Sequence, residues 1–352
     1  MATKESRQVK KEIQSNNEIA VSICIANYNG DETLRACLDS VLHQAFGHRV
    51  EIIVHDDAST DNSVEFIRTE YPQVTLISNK KNVGFCISNN RMVDVAKGKF
   101  ILLLNNDAAL RDDALSQLYQ YATEQNFYGI LTLPQYNIKT GQLMDMGSLL
   151  DPFLNPVPNI NPTQHQVSMV MGACLWIPQK LWTTLGGFPE WLGSLAEDMY
   201  LCLRAWNSGN EVRSLTQSGY DHHVGYSFGG GKIDNNKLHS SYRRRAMSER
   251  NKTYIMVIFY PTPILVTILP IHLCFLLTEG LLLSIYLRSL RPWHEIYYAA
   301  VRDTVKQRKR LLIVRKKIQK EKHLSSLKWL RLFTPLPQKL KLLLRHGFPN
   351  VS

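Results

Sequence analysis

The first third of the chain alternates between short apolar runs and amphipathic segments. The apolar runs predict four strands, at residues 21–26, 50–54, 74–78 and 100–104. Between them, apolar residues recur at helical spacing, which predicts a helix after each of the first three strands. Strands that alternate with helices in this way are typical of a parallel, doubly wound α/β sheet with helices on both faces.

The fourth apolar run is followed directly by three polar residues. Residues 100–104 are wholly apolar, as a strand covered on both faces requires, and Asn105, Asn106 and Asp107 come next. Ligands of open α/β sheets bind just beyond the carboxyl ends of the strands. An aspartate there can hold a hard divalent cation, and the cation can hold a diphosphate. The alternative is an ordinary polar turn in which Asp107 caps the next helix.

Polar turns also follow the first and second predicted strands. The first turn is Asn-Tyr-Asn-Gly at 27–30, and the second includes Asp56, Asp57 and Asp61. Neither turn has the Gly-x-Gly-x-x-Gly pattern of a dinucleotide-binding domain, and a P-loop is equally absent from the sequence. The predicted site is lined by carboxylates and amides, which suits a nucleotide bound together with a metal ion. Helix capping is the alternative role of the three aspartates; we expect it for Asp61 and consider it for Asp57.

The middle of the chain has a less regular pattern. We predict a helix at 112–126 and further strands at 128–133, 169–177 and 211–215, with Pro178 at the first position of a short helix. Residues 134–166 are rich in Pro, Asn and Gln, and their structure is left open.

Two adjacent acids, Glu197 and Asp198, open a helix that ends at Gly209. Considered alone, acids in the first turn of a helix only stabilise it, by about 0.3–1 kcal/mol each.

Charge and cysteine usage bound the function. The net charge is +11, but residues 288–352 contain 17 Lys or Arg and 3 Asp or Glu, whereas the preceding residues contain 24 and 27. The basic character therefore belongs to the C-terminal part. The six cysteines are scattered without a C-x-x-C pair, which indicates a reducing compartment with neither a disulfide framework nor a zinc site. The polar first 18 residues do not resemble a secretory signal, so we expect a cytosolic catalytic part.

A long apolar run near the C-terminus predicts contact with a membrane. Residues 253–278 contain no Asp, Glu, Lys or Arg, but Pro261, Pro263 and Pro270 interrupt them. Basic residues flank both ends, and the positive-inside rule places both on the cytosolic side. We therefore expect a re-entrant or in-plane helical hairpin that bends near Pro270.

The basic segment 301–322 has apolar residues interleaved among its charges. It predicts an interfacial amphipathic helix on anionic lipid, with a solvated basic helix as the alternative. Nucleic acid is not expected as a partner, because no nucleic-acid-binding motif accompanies the basic segment.

Four segments, in this order and spacing, resemble the family 2 inverting glycosyltransferases of the GT-A fold, and among them the rhamnosyltransferase-like branch. They are Tyr28-Asn29, Asp56-Asp57-Ala58-Ser59, Asn82-Val83-Gly84-Phe85 with Asn89-Asn90, and Leu103-Leu104-Asn105-Asn106-Asp107. Further along, residues 186–190 and Glu197-Asp198 resemble the acceptor side of that family. The chain departs from the family at Asn105, Pro189 and Tyr200, each of which stands where the family commonly has an acid.

The resemblance implies roles for the residues of the first half. Asp56 would accept the ring N3–H of uracil or thymine, and Asp107 would hold Mg²⁺ or Mn²⁺ against the diphosphate of a UDP- or dTDP-sugar. The full set of implied donor contacts is Ala26, Tyr28, Asn29, Asp56, Asp57, Gly84, Asn89, Asn105 and Asn106. A histidine can join the metal or diphosphate in this family, and we favour His222 over His223 for that role.

The resemblance also implies the catalytic residues. Asp198 would be the base that takes the proton of the acceptor hydroxyl, with Glu197 as its neighbour and the second candidate. Gly225, Tyr226 and Ser227 follow the histidines as in the family, and Gly229, Gly230 and Gly231 predict a mobile loop that closes over the donor.

The sequence as a whole predicts a membrane-associated glycosyltransferase on the cytoplasmic face of the cell membrane. We divide it into a flexible lead at 1–18, a GT-A domain at 19–235 with a nucleotide-sugar half (19–110) and an acceptor half (111–235), and a helical, basic region at 236–352. The acceptor would be a lipid-linked glycan or a polysaccharide in surface glycan assembly, and the oligomeric state is not predicted. The alternatives are a nucleotidyltransferase with a similar sheet and a non-catalytic membrane scaffold with a degenerate site.

Overall fold

The computed structural model of the chain describes residues 18–223, 232–234, 237–347 and 349–351. The predicted lead at 1–18, apart from Glu18, lies outside the described residues, as do the segments at 225–227 and 229–231.

The described strands are numbered β1 to β16 in chain order. They are β1 Val21–Asn27, β2 Val50–Asp56, β3 Thr75–Ser78, β4 Phe100–Asn105, β5 Ala108–Leu110, β6 Ile130–Thr132, β7 Gln135–Asn137, β8 Leu143–Asp145, β9 Ser148–Leu150, β10 Pro156–Pro158, β11 Cys174–Pro178, β12 Val212–Ser214, β13 Tyr220–His222, β14 Lys232–Asp234, β15 Lys237–Ser240 and β16 Asn350–Val351.

The helices are numbered α1 to α11. They are α1 Asp31–Leu42, α2 Ser63–Glu70, α3 Phe85–Val95, α4 Ala114–Glu124, α5 Gln179–Leu185, α6 Glu197–Asn207, α7 Tyr242–Phe259, α8 Thr262–Tyr286, α9 Tyr298–Lys320, α10 Ser326–Leu330 and α11 Gln338–His346, with a 3₁₀ turn at Glu190–Leu192 and a π-helical turn at Trp293–Tyr297.

The central sheet has seven strands in the order β12-β6-β11-β4-β1-β2-β3. Strand β11 runs antiparallel to both neighbours, and the other pairings are parallel. One buried cluster covers each face: α1, α2 and α4 contribute to one, and α3, α5 and α6 to the other. The predicted mixed, mainly parallel sheet with helices on both faces is therefore confirmed.

The strand predicted at 169–177 is wrong in its first half. Strand β11 begins only at Cys174. Met169 makes an isolated bridge with Ser148, and the backbone N–H of Gly172 turns away from the sheet to the Asp198 carboxylate. The apolar run 169–177 is therefore a strand only from Cys174 onwards, because its first residues pair with groups outside the central sheet.

Residues 134–166, left open by the sequence, form short strands arranged around two buried aspartates. Asp145 accepts hydrogen bonds from the Ser148 hydroxyl and the Asn159 N–H. Asp151 accepts from the N–H groups of residues 153 and 155 and, at 2.7 Å, from the N–H of Gln338, the first residue of α11. The irregular segment therefore also anchors the start of a C-terminal helix.

The long apolar run divides into two helices with different surroundings. Residues up to Phe259 belong to α7 and are buried in the core of the protein, whereas α8 is mostly exposed. The chain turns at residues 260–261, and α8 continues through Pro270 without interruption. The predicted bend near Pro270 is thus wrong, since the break falls at the proline pair around the start of α8. Within the described residues, α8 is the one helix long and apolar enough to cross a membrane.

Helix α9 packs along α7 and satisfies the end of that helix. Arg315 donates to the carbonyl oxygens of Val257 and Tyr260, at 2.8 and 2.7 Å. Gln319 donates to those of Ile258 and Phe259, at 3.0 and 2.9 Å. The last carbonyls of a helix lack partners within it, so these two side chains replace water at the end of α7.

The basic segment is thus a helix that packs on the protein, and its predicted place on anionic lipid stays a prediction. Leu311 and Ile318 are buried in the core, while Leu312 and Ile313 on the same helix are exposed. Only part of its apolar surface remains available to lipid. The boundary at residue 235 stays a prediction, and side chains from both of its sides share one buried cluster.

Candidate functional site

The polar residues after β1, β2 and β4 lie along one edge of the central sheet. In the strand register, Asn27 is beside Asp56, and Ala26 is beside Asn105. Adjacent strands are about 4.8 Å apart. Strand β11 starts at the same edge, because Cys174 is paired with Leu104. The structure therefore brings the Asp56, Asn105 and Gly172 segments together, as the sequence predicts for strand ends.

The carboxylate of Asp56 is fully enclosed by protein donors. Its Oδ2 accepts from the Asn27 amide at 2.9 Å and from the Ser59 hydroxyl at 2.6 Å, and its Oδ1 accepts from the Ser59 N–H at 3.0 Å. Asn27 in turn accepts from the Asn106 amide at 2.7 Å. Recognition of a base by Asp56 stays a prediction; it would need the unused lone pair of Oδ1 or exchange of a protein bond.

Asp57 holds the start of α3. Its Oδ1 accepts from the Val83 N–H and the Asn79 amide, at 2.7 and 3.1 Å, and its Oδ2 accepts from the Gly84 N–H at 2.7 Å. Gly84 has a φ of +91°, which an L-residue rarely adopts. The capping role considered for Asp57 is present, but on a helix distant in sequence.

The other predicted donor contacts have mixed surroundings. Tyr28 is exposed, and Asn29 accepts from the Thr60 N–H at 2.8 Å. Asn89 is buried and donates to Phe85 within its own helix, at 2.9 Å. Ala26, Asn105 and Asn106 are half-buried at the sheet edge. Asp61 accepts from the N–H groups of Asp31 and Ser63, at the starts of α1 and α2, as expected of a capping residue.

Asp107 and His222 face each other across a small second sheet. Strand β13 pairs with β5, which places His222 opposite Ala108, and His222 Nε2 lies 3.0 Å from Asp107 Oδ1. His223 contacts Asp107 through its backbone N–H, at 3.0 Å. Geometry thus favours His222 over His223 as the side chain beside Asp107.

The Asp107–His222 pair fits a divalent ion bound in part by its substrate. Two adjacent ligands of an octahedral ion with bonds of roughly 2.1 Å lie about 3 Å apart. The His222 Nδ1 has no partner within the described residues. No group of three or more His, Cys, Asp or Glu side chains that could hold a metal occurs in the described parts of the chain. The remaining ligands would have to be phosphate or water oxygens.

Glu197 and Asp198 form the first turn of α6 and differ in their hydrogen bonds. Asp198 is half-buried and accepts from the N–H groups of Met199 and Gly172, at 2.7 and 3.2 Å. Glu197 is buried, and among the described residues its Oε2 has no partner. Burial and then repulsion by Asp198 raise the pKa of Glu197 to about 8.

Burial also raises the pKa of Asp198 above its usual value. The two N–H donors favour its charged form, and its partial exposure leaves it some solvation. We therefore assign the negative charge of the pair to Asp198 near neutral pH, and the shared proton to Glu197. This arrangement provides one ionised carboxylate with an elevated pKa at the cleft, as a general base requires.

The loop before α6 is strained and held by α7. Leu195 and Ala196 have φ values of +68° and +67°. The amide of Asn251 donates to the carbonyls of Leu192, Ser194 and Leu195, at 3.2, 2.9 and 2.8 Å. Such backbone conformations cost about 1–3 kcal/mol each and persist where surrounding contacts fix them. Asn251 therefore positions the loop that carries the acidic pair.

Sequence reasoning missed three residues that organise this edge. Asn27 joins Asp56 to Asn106, Asn251 holds the loop before α6, and the Arg244 guanidinium interacts electrostatically with Glu197 and Asp198. The turn at 27–30 signalled Asn27. Nothing local marked Arg244 and Asn251, which lie in a segment whose basic charge suggested only a membrane flank.

The first half of the chain is similar to a known protein family. Residues 22–182, slightly less than half of the chain, match the model of the family "Glycosyl transferase family 2". Residues 22–182 thus match a glycosyltransferase family 2 domain, and the predicted GT-A class of fold is confirmed. The match supports the prediction of a glycosyltransferase.

Individual relatives align over shorter segments. The chain is 32% identical over 108 residues to "Uncharacterized glycosyltransferase YibD" of Escherichia coli, which covers 30% of each chain. It is 28% identical over 169 residues to a poly(ribitol-phosphate) beta-glucosyltransferase of Bacillus spizizenii, which covers 46% of this chain and 24% of that relative. The chain thus spans less than a third of the length of these two proteins.

A solved structure of S. aureus TarS 1–349 in complex with UDP aligns with a TM-score of 0.48 and 18% identity. The alignment covers 68% of this chain and 70% of that one.

Proposed function

We propose that the chain is a metal-dependent, inverting glycosyltransferase that moves a sugar from a UDP- or dTDP-sugar to a surface-glycan acceptor. The observation that carries this proposal is the position of the Glu197–Asp198 pair: Asp198 accepts a hydrogen bond from Gly172, beside the edge where the donor-side strands end. The family 2 domain supports the reaction class. A poly(ribitol-phosphate) acceptor in the name of one relative supports an acceptor of the cell-surface type.

In the proposed reaction, Asp198 accepts the proton of the acceptor hydroxyl. The hydroxyl oxygen forms a bond to the anomeric carbon as the bond from that carbon to the nucleoside diphosphate breaks. The attack comes from the face opposite the leaving group, so configuration inverts. Glu197 stays protonated and keeps a second negative charge away from Asp198, since two ionised neighbours in a buried site repel each other.

Asp107 and His222 would hold the divalent cation, Mg²⁺ or Mn²⁺. The bound ion would neutralise the charge that develops on the departing diphosphate. Asn105 adds no charge, so a single carboxylate serves the ion together with the phosphates. Asn27 fixes Asn106 and Asp56 relative to one another, which orients the polar edge on which the nucleotide would lie.

A panel of nucleotide sugars tests this function. Purified full-length chain is incubated with UDP- and dTDP-sugars, with Mg²⁺, Mn²⁺ or EDTA, and release of nucleoside diphosphate is measured. We expect one donor to be turned over in a metal-dependent way, and both Asp107→Ala and Asp198→Ala to abolish turnover. Asp107→Ala should also weaken metal-dependent binding of UDP, whereas Asp198→Ala should leave it intact.

Matched controls separate the alternatives. Asp94→Ala, at an exposed position of α3, should turn over donor like the wild type. Release of pyrophosphate in place of a nucleoside diphosphate would indicate a nucleotidyltransferase. Failure of the wild type to bind UDP with either metal would indicate a scaffold with a degenerate site. The rhamnosyl character of the donor stays a prediction, which the dTDP-rhamnose arm of the panel tests.

The predicted location on the cytoplasmic face of the membrane is part of the proposal. Helix α8 is exposed and apolar over most of its length, and basic residues flank it in sequence. Flotation of the full chain with liposomes that contain anionic lipid tests the association. A chain that remains in the soluble fraction at low salt would contradict it.

A further inference from the structure

A second cavity in the described part of the chain lies outside the polar sheet edge. It has a volume of about 550 Å³, opens to the surface, and is lined by α7, α8, α11 and the segment around Phe153. One wall is apolar, with Phe275, Leu276 and Leu282 of α8 facing Leu340 and Leu343 of α11. Such a volume accommodates a ligand with an extended apolar portion.

The other wall of the cavity is charged, and most of its charges are paired. Arg245 forms an ion pair with Glu279, and Lys339 lies 2.6 Å from Glu279 and 2.7 Å from Glu249. Lys252 lies 3.1 Å from Glu249 and donates to Asn155 at 2.7 Å. These five ionisable groups form a connected, partly buried network, in which the Lys339 side chain remains 34% exposed. We call this network the ionic cluster.

Arg244 is the remaining cation of the cavity, and it stands apart from the ionic cluster. Within the described residues, its guanidinium forms neither a hydrogen bond nor an ion pair within 4.0 Å. The carboxyls that influence it are Glu197 and Asp198. Four cations and two carboxylates line the cavity, so it carries a formal surplus of two positive charges. Burial lowers the pKa of Arg244, as expected for a guanidinium that lacks a close anionic partner.

We propose that this cavity binds the acceptor through a lipid phosphate, with the phosphate against Arg244 and the start of the lipid chain along the apolar wall of α8. The shape and charge are complementary to an amphiphilic anion. Arg244 lines the cavity, and its guanidinium interacts electrostatically with Glu197 and Asp198. A phosphate bound there would therefore present the sugar it carries to the catalytic carboxylate. The inference rests on the proposed function and names its acceptor class.

The exposed face of α8 gives the lipid a route to the cavity. Phe275 and Leu282 line the cavity yet are 57% and 47% exposed, so the apolar wall is continuous with the outer surface of the helix. Gly280 keeps α8 close to the π-helical turn, since a Cβ at that position would lie 2.7 Å from the Tyr297 Cβ. A lipid chain in a bilayer around α8 could therefore enter the cavity without crossing water.

Binding of farnesyl phosphate to the full-length chain, without donor, tests the proposal. Farnesol supplies the same chain without the phosphate, and glycerol 3-phosphate supplies a phosphate ester without the chain. We expect farnesyl phosphate to bind at least tenfold more tightly than either. Arg244→Gln should weaken farnesyl phosphate at least tenfold and leave farnesol unchanged. Ser248→Trp, which fills the cavity from α7, should weaken both.

The controls keep the outcome interpretable. Arg243→Gln, at the exposed neighbouring position, should bind farnesyl phosphate like the wild type, and thermal unfolding should show that each variant is folded. Equal binding by wild type and Arg244→Gln would overturn the proposal. So would glycerol 3-phosphate binding as tightly as farnesyl phosphate, since that result points to a soluble phosphodiester polymer as ligand.

The same variants distinguish this inference from the proposed function. UDP binding with Mn²⁺ is measured in parallel on the wild type and on Arg244→Gln. If UDP binds and farnesyl phosphate does not, the acceptor assignment fails and the donor site stands. If Arg244→Gln weakens UDP binding and spares farnesyl phosphate, the guanidinium belongs to the donor site and the inference is wrong.

Discussion

The ionic cluster and the Glu197–Asp198 pair each contain a buried glutamate, and the surroundings of the two glutamates shift their pKa values in opposite directions. Glu249, in the ionic cluster, lies close to two lysines: burial acts to raise its pKa, but Lys252 and Lys339 hold that pKa well below its usual value. Glu197, at the sheet edge, has no such partner, and its pKa is raised to about 8. The buried glutamate of the ionic cluster is kept ionised by two lysines, whereas the buried glutamate at the sheet edge binds a proton.

The two carboxyls give opposite pH dependence of stability. The raised pKa of Glu197 means that the folded state binds its proton more tightly than the unfolded state, so its contribution to stability is lost as pH rises from about 4.5 to about 8. The lowered pKa of Glu249 means that its contribution is present above about 4.5 and is lost as pH falls towards the folded value.

The largest expected effect is on catalysis at the sheet edge. Asp198→Asn removes the base while keeping the shape of the side chain, so kcat should fall on the order of 10³-fold. Stability should change little, because the side-chain oxygen of asparagine can still accept an N–H. Diphosphate release and thermal unfolding measure the two effects. Turnover within threefold of wild type would remove Asp198 as the base.

The next effect is on stability in the ionic cluster. Glu249→Gln leaves the buried Lys252 and the partly exposed Lys339 with one carboxylate fewer, and should lower the free energy of unfolding by about 3 kcal/mol. Glu295→Gln, which breaks the exposed Arg291–Glu295 pair, is the matched control and should change stability much less, because solvent screens an exposed ion pair. Urea unfolding measures both. A smaller loss for Glu249→Gln than for the control would show that the cluster is not a buried network.

A third prediction concerns the pH dependence of Glu197. Glu197→Gln imitates the protonated side chain, so at pH 5 its stability should match the wild type. At pH 9 the folded wild type carries a buried charge, so the variant should be the more stable of the two. Melting temperatures across this range measure the difference. A gain that is equal at both pH values would contradict the raised pKa.

The smallest effect concerns the positioning of the acidic pair. Asn251→Ala removes the amide that donates to three carbonyls of the loop before α6, and kcat should fall about tenfold, the equivalent of roughly 1.4 kcal/mol. The KM for the donor should stay the same, because the donor-side residues are on other loops. Asn210→Ala, whose amide bonds only its own turn, is the control. An unchanged kcat would show that the loop holds its conformation without Asn251.

The donor half of the fold was predictable because its signals are local. The run at 100–104 marks a buried strand, and the polar residues that follow must lie at its carboxyl end, where Asn105 and Asp107 are found. The positions of the acidic pair and of His222 followed from a resemblance, and the structure explains their surroundings. Strand β11 was misplaced at its start because only the contact of Gly172 with distant Asp198 shows where pairing ends.

The C-terminal half was less predictable because its contacts join residues far apart in sequence. Residues 253–259 and 262–286 have the same apolar composition, yet α9 covers the first segment and leaves the second exposed. Similarly, the basic residues of α7 predicted the cytosolic flank of a membrane segment. In the structure, Arg245 and Lys252 belong to an internal network, and Arg244 interacts electrostatically with the acidic pair. Composition reports how many charges a segment has but not which way each one faces.

The capped end of α7 has a consequence for the length of the acceptor. Asn251 grips the loop before α6, and eight residues later Phe259 ends the helix; at 1.5 Å per residue the two are roughly 12 Å apart along its axis. Arg315 and Gln319 donate hydrogen bonds to the carbonyls at that end, just before α8 begins. The distance along α7 between Asn251 and Phe259 is therefore fixed. With α8 embedded in a bilayer, chemistry would occur at a fixed, short height above the lipid surface. Acceptors whose reacting sugar lies close to the lipid would then be favoured over long chains whose reacting sugar lies far from it.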